Sequence, residues 1–335
     1  MYGQAGALHG QKFQPGAVVV SRVQYNGNSF GNTTAFPAIF TDKTVIGIEA
    51  SIHLDEFNPI AGFPRIGTMK VPGVTSNFGG RLEGVLMLSM DGQFLTYIGI
   101  AAPVGSNGTS NSYSTAAGVN LQGNTSPLYN RVIAMIGANR SVTLNPVNDA
   151  YSGDVPRAAL TVDGTQFYMV GNSDGTIYDD GTGPGTSIGI RYAPIGSATT
   201  IQLANYFAND RPDQTPANHV KDNNFRGLGI YRGNLYVSKG SGGNGDNGLF
   251  RVFNGTSSDG LRAPTTGNMV TQLFGSAATD PVSKAASIHT PYGFWFANDT
   301  TVYAADEGNI TTDSKGALIV DPLAGLQKWI SVGGS

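Results

Sequence analysis

A tight polar turn between two apolar strand patterns recurs along this chain at a spacing of about 70 residues, and that weak repeat limits the folds available to it. The turns are Asp91-Gly92, Asp163-Gly164, Arg232-Gly233 and Asn298-Asp299, set in EGVLMLSMDGQFL, RAALTVDGTQFYMVG, RGLGIYRGNLYVS and YGFWFANDTTVYAAD. Each reads as a short strand, a tight turn and a return strand, because Gly, Asn and Asp supply the backbone conformations a hairpin turn needs. Radial repetition of such units is the signature of a β-propeller, an all-β fold built from four-stranded blades.

Strand patterns rich in Val, Ile, Tyr and Phe alternate with Gly, Asn, Asp, Ser and Pro clusters throughout, and no segment holds a 3.6-residue apolar period for three turns. Four repeats open near residues 80, 156, 225 and 292, each with about four strand-length segments. The patterns AVVVSRV (17–23) and VIGIEASIHLDEF (45–57) supply a further N-terminal unit. The expectation is a single domain over 1–335, a propeller of about five to seven blades with a flexible segment at 1–14. The last pattern ends at Val332, so either AVVVSRV joins the final sheet to close a ring, or the ring is incomplete in this chain. An incomplete ring exposes strand edges, which recruit partners.

Composition narrows the function classes. Charged residues are 13% of the chain, about half the usual share, while Gly reaches 47 of 335 residues. Surface polarity therefore falls to Asn, Ser, Thr and Gly. The net charge of −3, without a Lys/Arg run, gives no electrostatic footprint for nucleic acid. Apolar runs such as VLMLSM (85–90) are far too short to cross a bilayer as a helix, and the first residues show neither a basic nor an apolar signal region. There is no Cys, hence no disulfide and no thiolate site. Seven Asn-X-Ser/Thr sequons, at Asn32, Asn107, Asn124, Asn139, Asn254, Asn298 and Asn309, are candidate glycosylation sites. All but Asn139 and Asn298 fall in Gly/Ser/Thr-rich loop sequence, where an acceptor is accessible.

Candidate chemistry is sparse. The four histidines lie in four regions without a metal-binding spacing. His53 and Asp55 in SIHLDEF point to one face of a strand, which allows a His–carboxylate pair for acid–base work, but the preferred reading is a hydrogen-bonded pair at a strand end. Loops at 173–183, 242–248 and 305–316 gather carboxylates, Asn and Gly, the donors and turns that calcium takes, and also ordinary turn formers. Asp306, Glu307 and Asp313 are the candidate calcium ligands; no other cofactor is expected. GSGGNGDNG (240–248) lacks the Lys-Ser/Thr and the helix of a phosphate loop, so it reads as a hairpin loop. No Gly-x-Ser-x-Gly elbow marks a nucleophile. Trp295 and Trp329 are expected in the core; exposure of either would point to a stacking platform.

Taken in order, PGAVVVSRV (15–23), IHLDEF (52–57), EGVLMLSMDGQFL (83–95), NNFRGLGIYRGNLYVS (223–238), PYGFWFAND (291–299), VYAAD (302–306) and GLQKW (325–329) span nearly the whole chain. The series resembles a family of uncharacterised secreted β-propeller proteins of environmental bacteria and some algae and fungi. That resemblance implies a secreted propeller and brings no catalytic residues. Relatives continue past the stretch matching GLQKW with further blade-like sequence, which implies a truncated or processed polypeptide here.

The functional expectation is an extracellular, non-enzymatic module that serves as a structural or binding element at a cell surface, in a matrix or in a filament. Its partners are then other copies of itself or extracellular protein or glycan. Two alternatives differ in class. One is a secreted hydrolase or lyase with a calcium-assisted site drawing on Asp306, Glu307 or Asp55. The other is a lectin using surface Trp or Tyr.

Overall fold

The computed structural model describes residues 12–25, 28–29, 48–60, 62–78, 84–106, 129–152, 154–173, 187–206, 223–240, 247–253, 269–276, 289–308, 311–312, 318–319 and 324–331. Among them there is no helix, and the protein is all-β, built from several antiparallel sheets. The chain divides into two compact units, one comprising Met1–Asp149, Gly153–Phe167 and Ala193–Thr199, the other Ala150–Ser152, Tyr168–Tyr192 and Thr200–Ser335.

In the first unit, β1 (Val18–Tyr25), β2 (Asn28–Ser29), β3 (Ile48–Phe57), β4 (Arg65–Phe78), β5 (Met87–Leu88), β6 (Phe94–Ile100), β7 (Arg131–Gly137) and β8 (Val142–Val147) form one eight-stranded sheet. Its order is β2-β1-β3-β4-β6-β7-β8, with β5 beside β6. The β4–β6 junction rests on one residue pair, Thr75 with Ile100, and is reinforced by the Thr75 hydroxyl, which donates to the Ile100 carbonyl at 2.9 Å. The alternation of β3 sends Ile52 and Leu54 inward against Val71, Val74, Tyr97, Val132, Ala134 and Ile136, all buried. Each such aliphatic side chain contributes roughly 1.5–3 kcal/mol.

Strand β4 was not legible as a strand because Pro72-Gly73 interrupts its sequence. In the structure the pairing with β3 jumps there, from Ile52–Val71 to Ser51–Thr75, so the interruption is a bulge within a continuous strand. Strand β1 takes Val19 and Val23 onto this core and pairs with β3 over Val18 to Gln24, and with β2 at Gln24 and Tyr25. It is therefore not a strand of the chain's last sheet, and that route to ring closure is corrected. Phe13, inside the segment expected to be flexible, packs on the same core and its amide donates to the Ala138 carbonyl at 2.9 Å. Residues 1–11 lie outside the described residues.

Strands β9 (Pro156–Leu160), β10 (Gln166–Gly171), β11 (Ile190–Pro194) and β12 (Ile201–Ala204) form a four-stranded meander. Another meander, β13 (Phe225–Tyr231), β14 (Asn234–Lys239), β15 (Asn247–Phe253) and β16 (Met269–Ser276), belongs to the second unit. Its last large sheet has three strands, β17 (Pro291–Asn298), β18 (Thr301–Asp306) and β21 (Gly325–Ile330); β19 (Thr311–Thr312) pairs with β20 (Leu318–Ile319) in a sheet of two.

All four recurring turns fall between neighbouring strands. At Arg232-Gly233 both residues have positive φ, 47° and 75°, and Tyr231 pairs with Asn234, which is the two-residue geometry that fits strand twist. The last turn lies one residue later than the sequence suggests: Asn298 pairs with Thr301, so Asp299-Thr300 form the tip. Asn298 instead holds the turn from its start, its side-chain carbonyl accepting from the Thr300 amide and hydroxyl, each at 3.0 Å. Asp163 does the same for Thr165, and these bonds keep its carboxyl below the ordinary carboxylate range.

Candidate interaction surface

Two polar clusters carry the titratable residues singled out in the sequence. In the second unit Asp306, at the end of β18, is 5% exposed, and donors surround its carboxylate. The Thr290 amide lies 3.0 Å from both oxygens, the Thr290 hydroxyl donates to Oδ1 at 2.7 Å, the Gly308 amide at 2.9 Å, and the Gln327 side chain approaches Oδ2 at 3.3 Å. His289 Nδ1 lies 3.6 Å away. Glu307, the next residue, accepts from Arg226 of β13, whose guanidinium also stands 5.9 Å over the Tyr292 ring. Asp306 is thus enclosed by N–H and O–H groups, and the two neighbouring carboxylates turn to different partners. Asp313 lies outside the described residues. Among the described residues no group of three or more His, Cys, Asp or Glu side chains could hold a metal.

In the first unit Ser51, His53 and Asp55 line up on one face of β3. The Ser51 hydroxyl donates to the Gln24 carbonyl at 2.9 Å and lies 3.0 Å from His53 Nε2. The hydroxyl has one proton, and where it goes to that carbonyl the His53 nitrogen is the donor of the second contact. Burial, with the nearby Arg22 and Lys70 charges, lowers the His53 pKa against the opposing pull of Asp55. Burial alone would raise Asp55, but hydrogen bonds from Arg22 and Thr68 and the charges of Arg22 and Arg65 outweigh it and hold the carboxyl below its ordinary value. Arg22 Nε meets Asp55 at 2.6 Å and Arg65 at 3.7 Å completes a cross-strand ion cluster. Glu56, on the opposite face, accepts from Gln14 and Arg140.

The remaining feature is the last sheet, whose two faces differ. Its inner face carries Phe294, Phe296, Val302 and Trp329, which cover Tyr236 and Leu249 of the preceding sheet; the Tyr236 and Phe296 rings are 4.5 Å apart. Burial there raises the Tyr236 pKa. Two glycines of β13 permit this approach: a β-carbon on Gly227 would stand 2.1 Å from the Tyr292 carbonyl oxygen, and one on Gly229 would stand 2.9 Å from the Phe294 ring. The Ser238 hydroxyl ties the sheets together by donating to the Tyr292 carbonyl at 2.5 Å. Trp329 is held at its Nε1–H by Gln327 at 2.9 Å and lies T-shaped to the His289 ring, half-buried on the covered side of the sheet against the core cluster.

Trp295 is not in the core. Side chains alternate along β17, so it stands on the outer face, 65% exposed, with its ring 6.1 Å from and nearly parallel to that of Tyr303. Two strands away on β21, Leu326 at 76% and Ile330 at 56% exposure stand on the same face, to either side of Lys328. This face has a counterpart one sheet earlier. Across the preceding sheet Gly229 pairs with Tyr236 and Tyr236 with Arg251; across the last sheet Trp295 pairs with Tyr303 and Tyr303 with Lys328. Leu249 opposite Ser238 corresponds to Leu326 opposite Ala305. Leu249 is fully buried, whereas its counterpart is open.

Of the seven sequons, the structure describes Asn139 and Asn298. Both are turn residues whose side-chain oxygens accept from the residue two further on, Ser141 and Thr300. Asn32, Asn107, Asn124, Asn254 and Asn309 lie outside the described residues, as do most of the loops at 173–183 and 242–248. The sequence places Trp295 in the core, so the exposed face of the last sheet emerges only with the pairing register. Compared with models of known protein families and with curated proteins, the chain matches none.

Proposed function

We propose that this chain is an extracellular, non-enzymatic β-propeller-type module that acts in assembly, as a structural element of a surface, matrix or filament. The single observation that carries the reading is the outer face of the last sheet. Trp295, Leu326 and Ile330 stand exposed on one face of a sheet that has three strands among the described residues, with Tyr303 beside Trp295 and Lys328 between the other two. Single exposed apolar residues are ordinary; three large ones on one sheet face support a docking surface. Successive hairpins packed through β13 and β17, with glycines at the contact, support the propeller reading of the repeat. A low-charge surface with seven sequons supports the extracellular setting.

The size of the chain in native material tests this. Sedimentation of surface extracts and medium from producing cells is expected to find the wild-type chain in particles well above monomer mass. Leu326→Asp, which puts a charge in the strip without touching a described core, is expected to shift the chain to monomer. Monomer for both proteins overturns the reading.

A second reading, a lectin, draws on one observation: Trp295 and Tyr303 form a flat, half-open aromatic pair of the kind that stacks on a sugar ring. Retention on a polysaccharide resin that is lost in Trp295→Ala, from a chain that stays monomeric, would favour it.

A further inference from the structure

The loop 58–64, which joins β3 to β4 in the first unit, holds bulky apolar side chains in water on a strained backbone. Ile60 and Phe63 are 59% and 57% exposed, and Phe63 takes a φ of 42°, a left-handed conformation that disfavours a bulky residue. Gly62, at φ 88°, answers the need of the turn before it, which closes where the Phe63 amide donates to the Ile60 carbonyl at 3.0 Å. Glycine would suit position 63 as well. More than half of the Phe63 surface stays in water, so what the ring contributes lies outside the fold.

The loop is also prepared to leave water. Pro59 and Pro64 carry no N–H, and those of Asn58 and Phe63 are taken up inside the loop, Asn58 donating to the Pro64 carbonyl at 3.0 Å. Free backbone donors are what make an irregular loop costly in an apolar medium, and this one has few. A β-carbon on Gly62 would meet nothing within 4 Å, so the tip stands clear of its surroundings there.

Behind the tip the sheet face turns cationic. Across β1, β3 and β4, Val18, Phe57 and Arg65 form the row next to the loop, Val20, Asp55 and Thr68 the following one, and Arg22, His53 and Lys70 the one after. Over these rows Arg22, Arg65 and Lys70 stand against one carboxylate, Asp55, which Arg22 already holds at 2.6 Å. The Arg65 side chain is 54% exposed and reaches Asp55 only at 3.7 Å, and Lys70 is exposed. An apolar tip followed at once by Arg65 and then by Lys70 matches the order of hydrocarbon and anionic headgroups in a lipid surface.

We infer that this tip is a second contact site, independent of the assembly reading above: Ile60 and Phe63 insert shallowly into an anionic lipid surface without crossing it, and Arg65 and Lys70 take headgroup phosphates. A raised tip needs a partner that yields around it, and lipid does so without a matching pocket. The long stems of Arg65 and Lys70 let their charges reach the headgroup level while the tip sits deeper.

Flotation of the full chain with phosphatidylcholine vesicles, with and without phosphatidylglycerol, reads lipid binding whatever the mass of the protein particle. The chain is expected to float with the anionic vesicles and much less with the neutral ones. Phe63→Gly is expected to weaken binding about tenfold or more yet to melt no lower than wild type, because it relieves the backbone; a residue kept for the fold alone would do the reverse. Ile60→Asn is expected to lose binding similarly, and Arg65→Gln about fivefold on anionic vesicles only. The chain has no cysteine, so a polarity-sensitive dye on Ile60→Cys reports from that position alone, and its emission is expected to shift to the blue with anionic vesicles. A chain that stays down with anionic vesicles overturns the lipid site, also where the tip docks on protein instead. Binding that survives Phe63→Gly and Ile60→Asn, or a dye at position 60 that keeps its emission in water, overturns it too.

Discussion

At the scale of single residues, the charged groups of this protein act mainly as fixed partners. Asp306 accepts hydrogen bonds from two backbone amides and a hydroxyl in a buried site. Asp306→Ala removes the acceptor and leaves those buried donors without it, so a loss of about 2–4 kcal/mol is expected in urea unfolding. Asp306→Asn, which keeps one acceptor oxygen, is expected to lose less. His53 gives a pH dependence whose sign is fixed by its surroundings. The native pKa lies below the ordinary 6.5, so between the two the unfolded chain takes up the proton first. Stability is full above pH 6.5 and falls as the solution is acidified toward the native value. Asp55 adds a second loss, beginning below its ordinary 3.8. In melting curves recorded against pH, His53→Gln is expected to flatten the upper limb and leave the lower one.

At the scale of elements, sheet-to-sheet contact depends on small residues at fixed register positions. Gly227 sits where a methyl group would run into the Tyr292 carbonyl, a backbone atom that cannot swing aside. Gly227→Ala is expected to cost about 1–3 kcal/mol by denaturant unfolding, more than an alanine normally costs in a strand. Much of this level was readable in advance. The turns at Asp91, Asp163 and Arg232 announced their hairpins, because the backbone conformations required there are ones few residues supply. Strand β4 was hidden by Pro72-Gly73, since a bulge and a chain break have the same local sequence. Trp295 was expected inside because hydrophobicity alone does not say which of two faces a strand will bury. That depends on what packs against the sheet, and Phe294 and Phe296, one residue to either side, took the covered face.

At the scale of the whole molecule, the recurring strand–turn pattern announced an all-β chain and composition its low charge, while pairing register, a long-range property, was needed to find the exposed outer face of the last sheet. The carboxylates proposed for calcium were readable as a cluster in sequence, but the direction each side chain takes was not: Asp306 turns to Thr290 and Glu307 to Arg226. Two tryptophans, standing on opposite faces of one three-stranded sheet, give the protein a built-in pair of optical reporters. The indole of Trp295 looks into solvent, so its emission is red-shifted and open to quenchers, and both properties change when that face is covered. The indole of Trp329, with its N–H held by Gln327 and its ring against His289, emits from within the sheet stack and changes when the stack opens. Association and unfolding can therefore be followed separately by the light of the unlabelled protein, each from its own side of the sheet.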